Sequence, residues 1–138
     1  MSMVCGLDLH RGQITFDALQ VESGEVWRGR LCQPDRARFR RWLTEELAPR
    51  AKGGAVAVAV AVEGCTGWRY VAEEVAAAGF EAHVAEPADT QAARGRKKRA
   101  KTDRSDARLL RELLVSGDLP ESWVPPEAVL EWRERVRL

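Results

Sequence analysis

The 138-residue chain has little of what marks a membrane or secreted protein. No apolar run approaches the roughly 20 residues that a spanning helix needs, and no charged segment followed by an apolar stretch opens the chain as a secretory leader does. A membrane partner is therefore not expected, and a cytoplasmic location is. Cysteine is scarce as well: Cys5, Cys32 and Cys65 are odd in number and widely spaced, which argues against a disulfide framework and for small buried hydrophobes in a reducing compartment. No internal repeat is evident. What is present in quantity is apolar side chain, 45% of residues, enough at this length for one domain with a core of its own.

Charge is spread unevenly. The net charge is +1, yet from Arg94 to Arg104 seven of eleven residues are basic (Arg94, Arg96, Lys97, Lys98, Arg99, Lys101, Arg104) against one acid, so the remainder is net negative. A basic run of this kind can be a solvated loop and nothing more. Here it leads into Asp103 and Asp106, three residues apart and so on one face of a first helical turn. Carboxylates that converge repel unless a cation lies between them, and cationic side chains alongside suit a polyanion whose phosphate must approach that cation. The plainer reading is two acids placed favourably at a helix N-terminus, about 0.3 to 1 kcal/mol each.

Two further acids interrupt apolar segments that read as strands. Asp8 lies within Val4-Cys5-Gly6-Leu7-Asp8-Leu9, and Glu63 closes the Ala/Val run Ala55 to Val62. An isolated acid in such a setting is costly, so each needs either a basic neighbour, such as Arg11 or Arg69, or a site. His10 reads as a polar strand-end residue with no catalytic role of its own, within reach of a supporting contact to Asp8.

The wider pattern is α/β. Val4–Leu9, Gln13–Val21 and Val26–Cys32 form an antiparallel meander joined by short polar turns. Asp35–Leu47 has helical spacing after Pro34, Ala55–Val62 lacks polar alternation and reads as a central strand, and Gly67–Ala78 is a helix that Thr66 can cap and Gly79 stops. Phe80–Ala85 is a fifth strand, Pro87 to about Arg94 a short helix or turn, and Asp103–Val115 a helix with Leu109, Leu110, Leu113 and Leu114 on its apolar face. Glu127–Leu138, after Pro125-Pro126, is an amphipathic helical pattern with Val129, Trp132 and Val136 in its stripe. It has no stop signal, which points to a helix continuing in a longer protein or pairing with another copy.

Four segments, Gly6-Leu7-Asp8-Leu9-His10, Val62-Glu63-Gly64-Cys65-Thr66-Gly67, Lys101-Thr102-Asp103-Arg104-Ser105-Asp106-Ala107-Arg108 and Trp123-Val124-Pro125-Pro126-Glu127, resemble in order and spacing the DEDD insertion-sequence transposases. That family includes pilin-gene invertases and bridge-RNA-guided recombinases. The resemblance implies an RNase H-like domain of the RuvC type over residues 1–118, with a five-stranded mixed sheet, three strands antiparallel and then two parallel, flanked by helices. Residues 119–138 would be a Pro-containing linker and the start of a coiled-coil-like helix.

The resemblance further implies Asp8, Glu63, Asp103 and Asp106 as catalytic ligands of Mg²⁺ or Mn²⁺, two ions in all. DNA is the implied substrate, a guide RNA an implied partner, and the terminal helix a homo-oligomer contact. The nucleophilic serine that the family carries in a C-terminal domain has no counterpart here, and Ser105 is not that serine. The isolated chain is therefore expected to bind metal and nucleic acid but to exchange strands poorly or not at all. The alternative is a module that binds nucleic acid and oligomerises without catalysis of its own.

Overall fold

The computed structural model describes residues 2–32, 34–51, 57–64, 68–86 and 103–121, the side chains of 103–105 excepted. Five strands form one mixed sheet in the order β3-β2-β1-β4-β5: β1 Met3–His10, β2 Gln13–Gln20, β3 Val26–Cys32, β4 Val58–Glu63 and β5 Glu81–Ala85. The first three strands are antiparallel, and β4 and β5 run parallel to β1. Both hairpin turns use a glycine at positive φ, Gly12 at 77° and Gly24 at 73°, where a Cβ would be strained.

Among the described residues, three helical segments cover the sheet. α1, Arg36–Arg41, starts at Asp35, whose carboxylate accepts the Arg38 N–H at 2.7 Å. The expected helix to Leu47 is present but changes pitch, continuing as a π-helical stretch Trp42–Leu47 and a 3₁₀ turn Ala48–Arg50. The wider pitch keeps Trp42 and Leu47, five residues apart, on the same buried face. α2, Trp68–Ala77, ends before Gly79 at φ 86°. α3 is Asp103–Ser116.

Strand alternation sorts the side chains into two faces. Met3, Cys5 and Leu7, Ile14, Phe16 and Ala18, and Val58, Val60 and Val62 join Phe39, Trp42, Leu43, Leu47, Val71 and Val75 in the main core. Phe16 anchors an aromatic group, its ring 4.5 Å from Trp27 and 4.9 Å from Trp42. Arg36 and Arg40 tie α1 to α2 through the buried Glu74, at 2.6 and 2.8 Å. The opposite face has a small core, Ala61, Ala85, Leu110 and Leu119, with Leu113 and Leu114 packed on it. Cys5 is fully buried, which pushes its thiol far above the ordinary range and leaves it unreactive.

The segments 87–94 and 122–138 lie outside the described residues, and with them the expected short helix, the linker and the terminal amphipathic helix. No described helix is long and apolar enough to cross a membrane.

Candidate metal and nucleic-acid site

The site is built on the small-core face, where α3 comes unusually close to β1. A Cβ placed on Gly6 would stand 2.0 Å from the Ala107 carbonyl oxygen and 2.8 Å from the Arg111 nitrogen. Only glycine permits this approach, and it fixes where α3 can lie. With Ala107 seated over Gly6, the preceding residue, Asp106, comes to the end of β1 beside Asp8.

Asp8 and Asp106 are buried, at 5% and 1% exposure, so neither acid is an ordinary solvated surface charge. One oxygen from each, together with a nitrogen of His10, forms a group whose atoms all lie within 4.8 Å of one another. His10 Nε2 is 2.5 Å from Asp8 Oδ2, and the His10 side chain is 38% exposed, leaving this side of the group open to solvent.

Glu63 reaches the same region from β4. The parallel register sets Leu7 beside Val62, so the next step brings Asp8 and Glu63 to neighbouring positions on the α3 face. Glu63 is half-buried there and stands outside the three-residue group. Asp103 and Arg104 open α3, and their side chains lie outside the description, as do Arg94, Arg96, Lys97, Lys98, Arg99 and Lys101 entirely.

A second polar cluster fixes the other end of the contact. Asp17, fully buried and paired in register with Gly6, accepts from Arg111 Nε at 2.8 Å and Arg28 Nε at 2.6 Å. Arg111 is itself buried, so this ion pair ties α3 to β2 directly beneath the Gly6 approach. Two residues before Asp17 and on the same sheet face, Thr15 is paired in register with Asp8 and 6% exposed, and its hydroxyl finds no hydrogen-bond partner among the described residues.

Thr15, Asp17 and Arg111 are the residues that reading the sequence did not single out for this site, whereas His10 was read as within reach of a supporting contact to Asp8, the contact it makes. Asp17 had a signal, an acid inside the strand segment Gln13-Ile14-Thr15-Phe16-Asp17-Ala18, and Arg111 had one too, at four residues from Ala107 on the helix. Their pairing joins positions 94 residues apart. Trp68 is partly buried and packs against the main core, to which the enclosed Trp42 belongs.

A sheet of this order with α3 laid across β1 has a solved counterpart. RuvC of T. thermophilus, determined in complex with Holliday junction substrate, superposes with a TM-score of 0.60 at 15% identity, over 88% of this chain and 100% of that one. The likeness defines an RNase H-like α/β fold of the RuvC type. Residues 5–138 match the transposase family of the DEDD, IS110 type, and the chain belongs to that family. No curated protein matches it.

The donor set fits a hard or borderline divalent ion. Two buried carboxylates on one point would repel in the absence of positive charge, and their oxygen donors suit Mg²⁺, Mn²⁺ and related cations.

Proposed function

We propose that this domain performs divalent-metal-dependent phosphodiester cleavage and strand transfer on DNA, with Asp8, Glu63, Asp103 and Asp106 as the ligand set. The observation that carries the reading is the convergence of buried Asp8 and Asp106 from elements nearly a hundred residues apart, held by the Gly6 approach and the Asp17–Arg111 pair. Burying two acids at one point carries a desolvation cost, which a cation bound between them would offset.

In this reading Asp8 and Glu63, on adjacent strand ends, hold one side of the centre, and Asp103 and Asp106, one helical turn apart, hold the other. The sheet keeps the first pair fixed. α3 sets the position of the second. Two ions in such a cage supply Lewis acidity to the attacking and leaving oxygens of a phosphodiester. Arg94, Arg96, Lys97, Lys98, Arg99, Lys101 and Arg104, immediately before and within the first turn of α3, draw the DNA backbone toward the carboxylates. A guide RNA is a second polyanion for the same basic run, and a serine from the family's C-terminal domain completes strand transfer. The helix pattern of residues 127–138 then pairs subunits.

Calorimetric titration of Mn²⁺ into the wild-type chain and into Asp8→Asn tests the reading. Binding in the wild type that weakens at least about tenfold in the variant is expected. Equal affinity in both, with both folded, would contradict it.

A further inference from the structure

We propose that His10 ligates the divalent ion, making this a mixed nitrogen and oxygen centre that binds Mn²⁺ in preference to Mg²⁺. The inference rests on the metal-dependent reading above and adds to the four carboxylates a ligand of a different chemical type. Three observations carry it.

The first is span. Atoms that share one ion at about 2.1 Å can stand at most about 4.2 Å apart. The His10 nitrogen and one oxygen each of Asp8 and Asp106 lie within 4.8 Å of one another, so a small closure brings all three onto one cation. The second is placement. His10 ends β1 two residues after Asp8, on the same sheet face, and Nε2 is directed at Asp8 Oδ2 at 2.5 Å. The Gln13 register and the Gly12 turn fix the backbone of this strand end.

The third observation is Thr15. Its buried hydroxyl, opposite Asp8 and without a hydrogen-bond partner among the described residues, costs free energy unless something in the site engages it. Water on a bound ion would do so. An imidazole donor changes which ion is favoured: Mg²⁺ takes oxygen ligands in strict octahedral geometry and gives up water reluctantly, whereas Mn²⁺ accepts nitrogen more readily. The half-exposed ring also leaves a route for an ion to enter from solvent.

The test is electron spin-echo envelope modulation on Mn²⁺ bound to the 138-residue chain, with parallel Mn²⁺ and Mg²⁺ titrations. A ¹⁴N coupling in the wild type is expected to vanish in His10→Gln, with Mn²⁺ affinity falling about tenfold or more and Mg²⁺ affinity much less changed. A purely positioning role for His10 would leave the wild type without nitrogen coupling and, since glutamine keeps a hydrogen-bonding group beside Asp8, His10→Gln with its Mn²⁺ affinity intact. Mn²⁺ that binds in an Asp8-dependent way with no ¹⁴N coupling overturns the inference and leaves the metal-dependent reading standing. Coupling that persists in His10→Gln and is lost in His83→Gln would place the ion against His83 and Glu81 on β5 and the neighbouring Glu121, and would also overturn it. No Mn²⁺ binding by the folded wild type overturns both.

Discussion

The two faces of the sheet are built to different ends. The face under α1 and α2 carries Phe39, Trp42, Leu43, Leu47, Val71 and Val75 against the alternating residues of β1, β2 and β4, whereas the face under α3 has only a small core, with Gly6 and Ala61 on the sheet and Leu110 and Leu119 above, and buries Asp8, Asp17, Asp106 and Arg111 beside it. Apolar bulk on one side supplies the stability that the other side spends on burying charge. Small residues on the α3 side do a separate job, letting the helix approach closely enough for acids on two distant segments to meet.

If that division holds, substitutions on the two faces separate into those that cost stability and those that cost metal binding. Phe39→Ala, at a fully enclosed position, is expected to cost about 3 to 5 kcal/mol in chemical denaturation. Mn²⁺ affinity of the protein that remains folded should be unchanged. Arg111→Ala leaves Asp17 buried with Arg28 alone and is expected to cost about 2 to 3 kcal/mol, with a loss of metal affinity because α3 is no longer tied to β2. Gly6→Ala should cost about 1 to 3 kcal/mol by overpacking, but its effect on metal binding should exceed its effect on stability, since a Cβ there displaces α3 as a whole.

The smallest effect is a pH dependence on the apolar face. Hydrogen bonds from Arg40 and Arg36 hold Glu74 down to about 2, below its ordinary 4.5. A depressed carboxylate contributes stability in full above its unfolded value and loses it as pH falls toward its folded one. Unfolding free energy should therefore decline between about pH 4.5 and pH 2. Glu74→Gln should flatten that decline and cost about 1 to 2 kcal/mol at neutral pH. An unchanged acid limb would show that this ion pair does not tie α1 to α2.

Much of the fold was readable because its signals are local. The β1–β2–β3 meander follows from apolar segments bounded by His10-Arg11-Gly12 and Glu22-Ser23-Gly24-Glu25, and the unbroken Ala/Val run fits a strand with β1 on one side and β5 on the other. Asp8 and Glu63 could be picked out because each breaks an apolar pattern, and their neighbouring strand ends follow from the parallel register. The π-helical pitch of Trp42–Leu47 could not be read, since Phe39, Trp42, Leu43 and Leu47 also suit an ordinary helix. Nor could the Asp17–Arg111 pair, which depends on which helix crosses which strand. His10 fell between the two cases. Its position beside Asp8 was plain, but its direction toward Asp106 exists only once Gly6 has let α3 down onto the sheet.

The most direct test of the account is anomalous diffraction from a Mn²⁺-soaked crystal of the chain. The account predicts manganese at the end of β1, between Asp8, Glu63 and the Asp103/Asp106 turn of α3. Manganese at other carboxylates alone, with these four positions empty at saturating concentration, would contradict it.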